Sequence, residues 1–245
     1  MNQLLTVSEV QKNYEQEEII TNVSFSLMRG EVCTLLGKNG SGKTTLLKLL
    51  TGLNKPTTGT ILFEGENLTR TFPAKLDQLG FSIENPKYYE HLTGKENLAL
   101  HLAYMGHSTA MLNNDQLIDR VLTQVGLEEK KHLPLKKYSL GMKQRLAIAR
   151  TIIHQPKLIV LDEPFNGLDP KGIEDISQLI NYLSITEKMS FIISSHLLHQ
   201  SLEISDKVLL LKNGHIVLDQ SFQELQTTYG EQLREKIIYL MEDIN

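Results

Sequence analysis

Gly37-Lys38-Asn39-Gly40-Ser41-Gly42-Lys43-Thr44 decides the reading of this 245-residue chain. The eight residues fit the spacing G-x-x-x-x-G-K-[ST], and each residue type has a physical task. Glycines let the backbone curl until successive N–H groups point at phosphate oxygens, and a helix opening behind them adds partial positive charge. Lys43 is placed to reach the β- and γ-phosphates, and the Thr44 hydroxyl to ligate Mg²⁺. Asn39, Gly40, Ser41, Gly42 and Thr45 complete the cradle around Gly37. Such a motif carries weight only between a strand and a helix, and that context is present. Val32 to Leu36 reads as a buried strand, and Thr44 to Leu53, with leucines at 46, 47, 49 and 50, predicts a helix. Strand, glycine loop and helix make half of a βαβ unit.

Upstream of the loop, Leu4-Leu5-Thr6-Val7 and Ile19-Ile20 are short apolar runs. Val23, Phe25 and Leu27 alternate with Ser24 and Ser26, the mark of a half-buried strand. Downstream, a strand pair joined through Gly65 follows Gly59. From about 87 to 155 the pattern turns helical and more polar, which suggests an inserted helical lobe. Sheet character returns at Lys157 to Leu161, Phe191 to Ile193 and Val208 to Leu211, and the tail from Ser221 reads as a helix or two. Short apolar strands alternating with helices predict an α/β fold around a mostly parallel, covered sheet. The expected organisation is one unit over 1–245: a core from 1–86 and 156–220, a helical lobe over 87–155 and a helical tail over 221–245.

Composition narrows the function. Twenty-five basic against 29 acidic residues leave a net charge of −4, without the basic excess that nucleic-acid binding usually shows. Cys33 is the single cysteine, so no disulfide forms within the chain and a reducing compartment fits. MNQLLTVSEV lacks the regions of a signal peptide, and no stretch approaches the ~20 apolar residues of a membrane span. Work beside a membrane stays open.

Leu158-Ile159-Val160-Leu161-Asp162-Glu163-Pro164 is an apolar strand ending in two acids. A parallel sheet puts its strand C-termini at the ligand crevice. Asp162 there would hold Mg²⁺ through water, and Glu163 would polarise the attacking water as a general base. Phe191-Ile192-Ile193-Ser194-Ser195-His196 has the same form, with His196 placed to hold the water or Glu163. The remaining histidines, at 91, 101, 107, 132, 154, 199 and 215, form no metal-ligand spacing.

Together these residues resemble the ATP-binding subunits of ABC transporters. Tyr138-Ser139-Leu140-Gly141-Met142-Lys143-Gln144-Arg145 looks like the family's signature, usually LSGGQ followed by QR, and lies just before the acidic strand. Tyr14 matches the aromatic that stacks on adenine, Asn166-Gly167-Leu168-Asp169 the D-loop, and His196 the switch histidine. The resemblance spans roughly residues 3 to 220. It implies a P-loop NTPase (RecA-like) core, an N-terminal antiparallel β lobe and a helical lobe. It also implies ATP and Mg²⁺ as cofactors, with two such subunits closing head to tail over two ATP. Ser139 and Gly141 would then donate to the γ-phosphate held by the other subunit.

Glu84, in Gly80-Phe81-Ser82-Ile83-Glu84-Asn85-Pro86, occupies the position where most ABC subunits carry the Q-loop glutamine. A carboxylate there can ligate Mg²⁺ more strongly than an amide, but repels phosphates when the metal is absent. Glu84, the SLGMKQR signature and the run Ile193-Ser194-Ser195-His196-Leu197-Leu198 resemble a narrower group. That group serves lantibiotic immunity and bacitracin resistance in Gram-positive bacteria. Leu140 and Met142 replace the usual glycine and glutamine of the signature. The implied partners are a separately encoded permease, docking near Pro86 to Glu96 with Tyr88, Tyr89 and Leu92 as contact surface, and a second ATP-binding subunit. The implied location is the cytoplasmic face of the cell membrane, and the cargo is left open. A ribosome-acting ABC ATPase normally carries two cassettes, a DNA-repair ATPase needs a long coiled coil, and a guanine-nucleotide switch needs Asn-Lys-x-Asp; none of these features is found. A non-catalytic regulator is the rival from another class.

Overall fold

Two long strands, β1 (Gln3–Tyr14) and β2 (Glu17–Met28), pair antiparallel at the start of the chain. The computed structural model describes residues 3–15, 17–84, 86–106, 111–196 and 198–242, the side chains at 71–73 and 111–113 excepted. Asn85 and Leu197, which contribute to the family resemblance, and His107 lie outside the described residues. Both strands are longer than their apolar runs suggest. Glu9 and Asn22 adopt left-handed backbone, at φ 50° and 48°, and the register shifts between Val7 and Val10. A bulge reverses which residues face inward, so period two breaks while the ladder continues. β4 (Thr58–Phe63) pairs with β1 and β5 (Glu66–Asn67) with β4, giving the order β2-β1-β4-β5.

The second sheet holds β3 (Val32–Leu36), β6 (Leu79–Ser82), β7 (Leu158–Asp162), β8 (Ser190–Ser195), β9 (Lys207–Lys212) and β10 (His215–Ser221). Its order is β10-β9-β3-β8-β7-β6, and every pairing is parallel except β10 with β9. Every residue of β3 and β8 is buried, as a sheet covered on both faces requires.

Helices supply that cover. α1 (Lys43–Leu50) follows the glycine loop and α2 (Leu68–Lys75) follows β5; α3 (Gly94–Tyr104), α4 (Met111–Gln124) and α5 (Leu140–Ile152) lie between β6 and β7. α6 (Pro170–Glu187) links β7 to β8, and α7 (Leu198–Glu203) precedes β9. α8 (Phe222–Tyr229) and α9 (Leu233–Met241) form the tail. α1 ends at Leu50 rather than Leu53 because Gly52, at φ 72°, turns the chain out of the helix. At eight residues it is shorter than the ~12–15 that hold an isolated helix, so packing must hold it. Leu46, Leu47, Leu49 and Leu50 are fully buried, each contributing about 1.5–3 kcal/mol.

Two hydrophobic clusters sandwich the parallel sheet. One joins the α1 leucines to Leu35, Ile192, Leu209 and the inward residues of β1 and β2. The other joins Phe191 and Ile193 to α3–α6 through Leu98, Leu122, Leu146 and Ile180. A third holds the tail: Leu225, Leu233 and Ile237 pack on Leu36, Val208 and Leu210. Tyr88 corrects one expectation. It packs against the core with Arg150 5.5 Å from its ring centroid, and burial pushes its phenol up to about 12. Tyr89, 47 % exposed, is the surface ring there.

Candidate functional site

The glycine loop leaves the C-terminal end of β3 and feeds α1, whose N-cap is Gly42. Gly42 sits at φ 104°, and a Cβ on it would come within 2.9 Å of Ile20 Cδ1. Gly37 is equally confined: a Cβ would meet the carbonyl oxygen of Leu211 at 2.5 Å. Lys43 folds back across the loop, donating to the carbonyls of Gly37 at 2.7 Å and Lys38 at 3.2 Å. Burial pushes its ammonium down from the usual lysine value, while Glu163 and Asp162 oppose that shift. Asn39, Gly40, Gly42, Lys43, Thr44 and Thr45 line a 290 Å³ cavity with Asp162, Glu163 and Ile19. That is at or below the ~300–1,000 Å³ of pockets that enclose a whole ligand, so it matches a phosphate tail better than an entire nucleotide.

β7 delivers the two acids to this cavity. Thr44 Oγ1 donates to Asp162 Oδ2 at 3.0 Å, tying the loop helix to the strand end. The other carboxylate oxygen, Asp162 Oδ1, accepts from Ser194 Oγ at 2.5 Å. Ser194 Oγ in turn accepts from the Glu163 N–H at 2.9 Å, so one hydroxyl fixes both acids. Residues 162 and 194 are ladder neighbours on β7 and β8, which is why the serine reaches them. The signal for it was two serines ending a fully buried strand, where an unpartnered hydroxyl would be unfavourable. Glu163 itself has left-handed backbone, φ 50°. Its Oε2 lies 2.8 Å from His196 Nδ1, which must be the donor because a carboxylate only accepts. Its Oε1 lies 3.9 Å from Lys43 Nζ. Lysine, acid and histidine thus meet at one point.

Other expected residues stand around this centre. Tyr14 ends β1 with its ring 45 % exposed; Asn54 donates to its hydroxyl at 2.6 Å, and Lys12 Nζ lies 4.9 Å from its ring centroid. Glu84 follows β6, lining a second cavity of 430 Å³ with Asp162, Glu163, Gln144 and Leu140, and its Oε1 meets Lys48 Nζ at 2.5 Å. Ser139 caps α5 by accepting from Met142 N–H at 3.2 Å. Ser139 and Gly141 line neither of these cavities, whereas Leu140 and Gln144 of the same segment line the second. Ser41 is buried, and its hydroxyl has no hydrogen-bond partner. Among the described residues, no group of three His, Cys, Asp or Glu side chains could hold a metal by itself, and no helix is long and apolar enough to cross a membrane.

The ABC transporter family model matches residues 20–166, from β2 through the glycine loop and the signature to the acidic strand and Asn166. The chain belongs to the ABC transporter family. ABC ATP-binding subunits are ATPases, and this chain carries their nucleotide-binding domain. It is 42 % identical over 226 residues to the uncharacterized ABC transporter ATP-binding protein YcbN of Bacillus subtilis, covering 92 % of this chain and 72 % of that one. The bacitracin transport ATP-binding protein BcrA of Bacillus licheniformis is 34 % identical over 99 % of this chain and 79 % of its own. The lantibiotic transport ATP-binding protein SrtF of Streptococcus pyogenes is 36 % identical over 94 % and 97 %. Among solved structures, cbiO1 of Clostridium perfringens, part of the ABC transporter complex cbiONQ, superposes with a TM-score of 0.85 at 26 % identity, covering 98 % of this chain and 96 % of that one. The ABC fold therefore extends to the tail helices, beyond the segment that the family model matches.

Proposed function

We propose that this chain is the ATP-hydrolysing subunit of a membrane exporter that removes a lantibiotic, a bacitracin-like peptide or another amphipathic antimicrobial peptide from a Gram-positive membrane. The observation that carries the cargo class is similarity along almost the whole chain to BcrA and SrtF, whose names specify bacitracin and lantibiotic transport. Glu84 at the Q-loop position supports the same group. A separately encoded permease supplies the membrane path, and a second ATP-binding subunit, identical or not, completes two nucleotide sites at the cytoplasmic face. The units in this reading are the core, the helical lobe over 87–155 and the tail over 221–245.

In this reading Tyr14 stacks on the adenine, while the loop N–H groups and Lys43 take the β- and γ-phosphates. Glu163 polarises the attacking water, and His196 holds the Glu163 carboxylate at 2.8 Å. Ser139 and Gly141 act on the nucleotide of the other subunit. Mg²⁺ fits the donor set: Thr44 Oγ1 and Asp162 Oδ2 stand 3.0 Å apart. Thr44 would ligate the ion through its hydroxyl and Asp162 through water. Such an ion takes one or two carboxylates plus phosphates and water, so a site with few protein ligands suits it. When bound, it neutralises charge on the phosphates. Glu84 is its further candidate ligand.

The test is antibiotic susceptibility of the native host carrying Glu163→Gln on the chromosome, against several lantibiotics, bacitracin and one unrelated antibiotic. Raised sensitivity to one peptide class identifies the cargo and its need for hydrolysis. Unchanged susceptibility across the panel removes the antimicrobial-peptide assignment.

A further inference from the structure

Glu84 has left-handed backbone at φ 61°, a region that non-glycine residues rarely occupy, so its surroundings must hold it. The contact the structure shows is Lys48, whose Nζ lies 2.5 Å from Glu84 Oε1. Lys48 belongs to α1, four residues beyond Thr44, and residues four apart share one helix face. One face of α1 therefore meets two acids: Thr44 engages Asp162 and Lys48 engages Glu84. Glu84, Asp162 and Glu163 line the same 430 Å³ cavity. Three carboxylates oppose a polyphosphate that must bind beside them. Lys43, 3.9 Å from Glu163, serves that end of the cluster, and Lys48 is Glu84's ion-pair partner at the other.

We propose that Lys48 is a positioning residue for nucleotide binding: it cancels the charge of Glu84 and holds its carboxylate at the cavity it shares with Asp162 and Glu163. That counter-charge makes a glutamate tolerable where the family usually carries a neutral glutamine. The inference rests on reading Glu84 as part of the nucleotide site.

The experiment measures equilibrium binding of trinitrophenyl-ATP by the full chain, in EDTA and in Mg²⁺. Lys48→Met should weaken EDTA binding by about three- to fivefold, the range of a partly exposed ion pair, and Lys48→Arg should restore most of it. Glu84→Gln should tighten EDTA binding. Adding Lys48→Met to Glu84→Gln should change affinity less than about 1.5-fold, because coupled residues are non-additive. Equal weakening by Lys48→Met in both backgrounds overturns the proposal, since Lys48 would then act on phosphate directly; no weakening in either background overturns it too. If Glu84→Gln leaves affinity unchanged with and without Mg²⁺, the reading of Glu84 itself fails. If Glu84→Gln shifts affinity while Lys48→Met does not, only the role of Lys48 fails.

Discussion

Replacing Ser194 with alanine deletes one oxygen that fixes both strand-end acids. The hydroxyl donates to Asp162 Oδ1 at 2.5 Å and accepts from Glu163 N–H at 2.9 Å. A hydrogen bond to a charged group contributes about 1.5–3 kcal/mol, and a neutral one about 0.5–1.5. Two facts lower the sum. Asp162 is only half-buried, and the Glu163 N–H keeps a longer bond to the Ser194 carbonyl at 3.2 Å. The expected loss is therefore about 2 kcal/mol, or a melting temperature lower by ~4–8 °C for a chain of this size. Urea denaturation at unchanged slope measures the first quantity. The second consequence is functional: Asp162, released on one side, should need more Mg²⁺ to reach half-maximal ATPase activity, while nucleotide affinity in EDTA changes little. A variant within about 0.5 kcal/mol of the parent, the scatter of ordinary surface changes, with the same Mg²⁺ requirement, would refute the claim that this hydroxyl holds the acids.

Three further outcomes follow from particular contacts. Asn54→Ala should raise the KM for ATP about two- to fivefold with kcat unchanged, Tyr14→Phe should match it, and the double variant should add nothing, as loss of one exposed hydrogen bond to the ring proposed to stack on adenine predicts; steady-state kinetics decide. Cys33 is fully buried, and burial pushes its thiol well above the ordinary value of 9.0, so it should resist thiol reagents until the chain unfolds. Unfolding releases that thiol to ionise, so stability should fall as pH rises past about 9, and Cys33→Ala should remove that part of the slope in denaturation curves from pH 7 to 10. Gly80→Ala should destabilise by about 2 kcal/mol or more, or give insoluble protein, because a Cβ would overlap the Thr151 carbonyl; soluble yield and urea midpoint check it.

The sequence by itself determined the local features that short segments can encode. Gly37 to Thr44 links a strand to a helix, and Asp162 ends β7 with Glu163 just beyond it, so spacing and strand polarity sufficed to place both. The α/β class followed from short apolar strands alternating with helical periodicity. Folding decided matters that depend on partners far apart in the chain. The bulges at Glu9 and Asn22 extended β1 and β2 beyond their apolar runs. Tyr88 turned inward to pack against the hydrophobic core, with Arg150 of a distant helix 5.5 Å from its ring centroid. Ser194 acquired its role through the ladder that sets it beside Asp162, 32 residues earlier. Asn54 met Tyr14 across 40 residues and Lys48 met Glu84 across 36. Each pairs polar side chains whose own segments carry no periodic signal linking them. Periodicity records which face of an element is buried, but only packing brings two faces together and so decides which charge meets which.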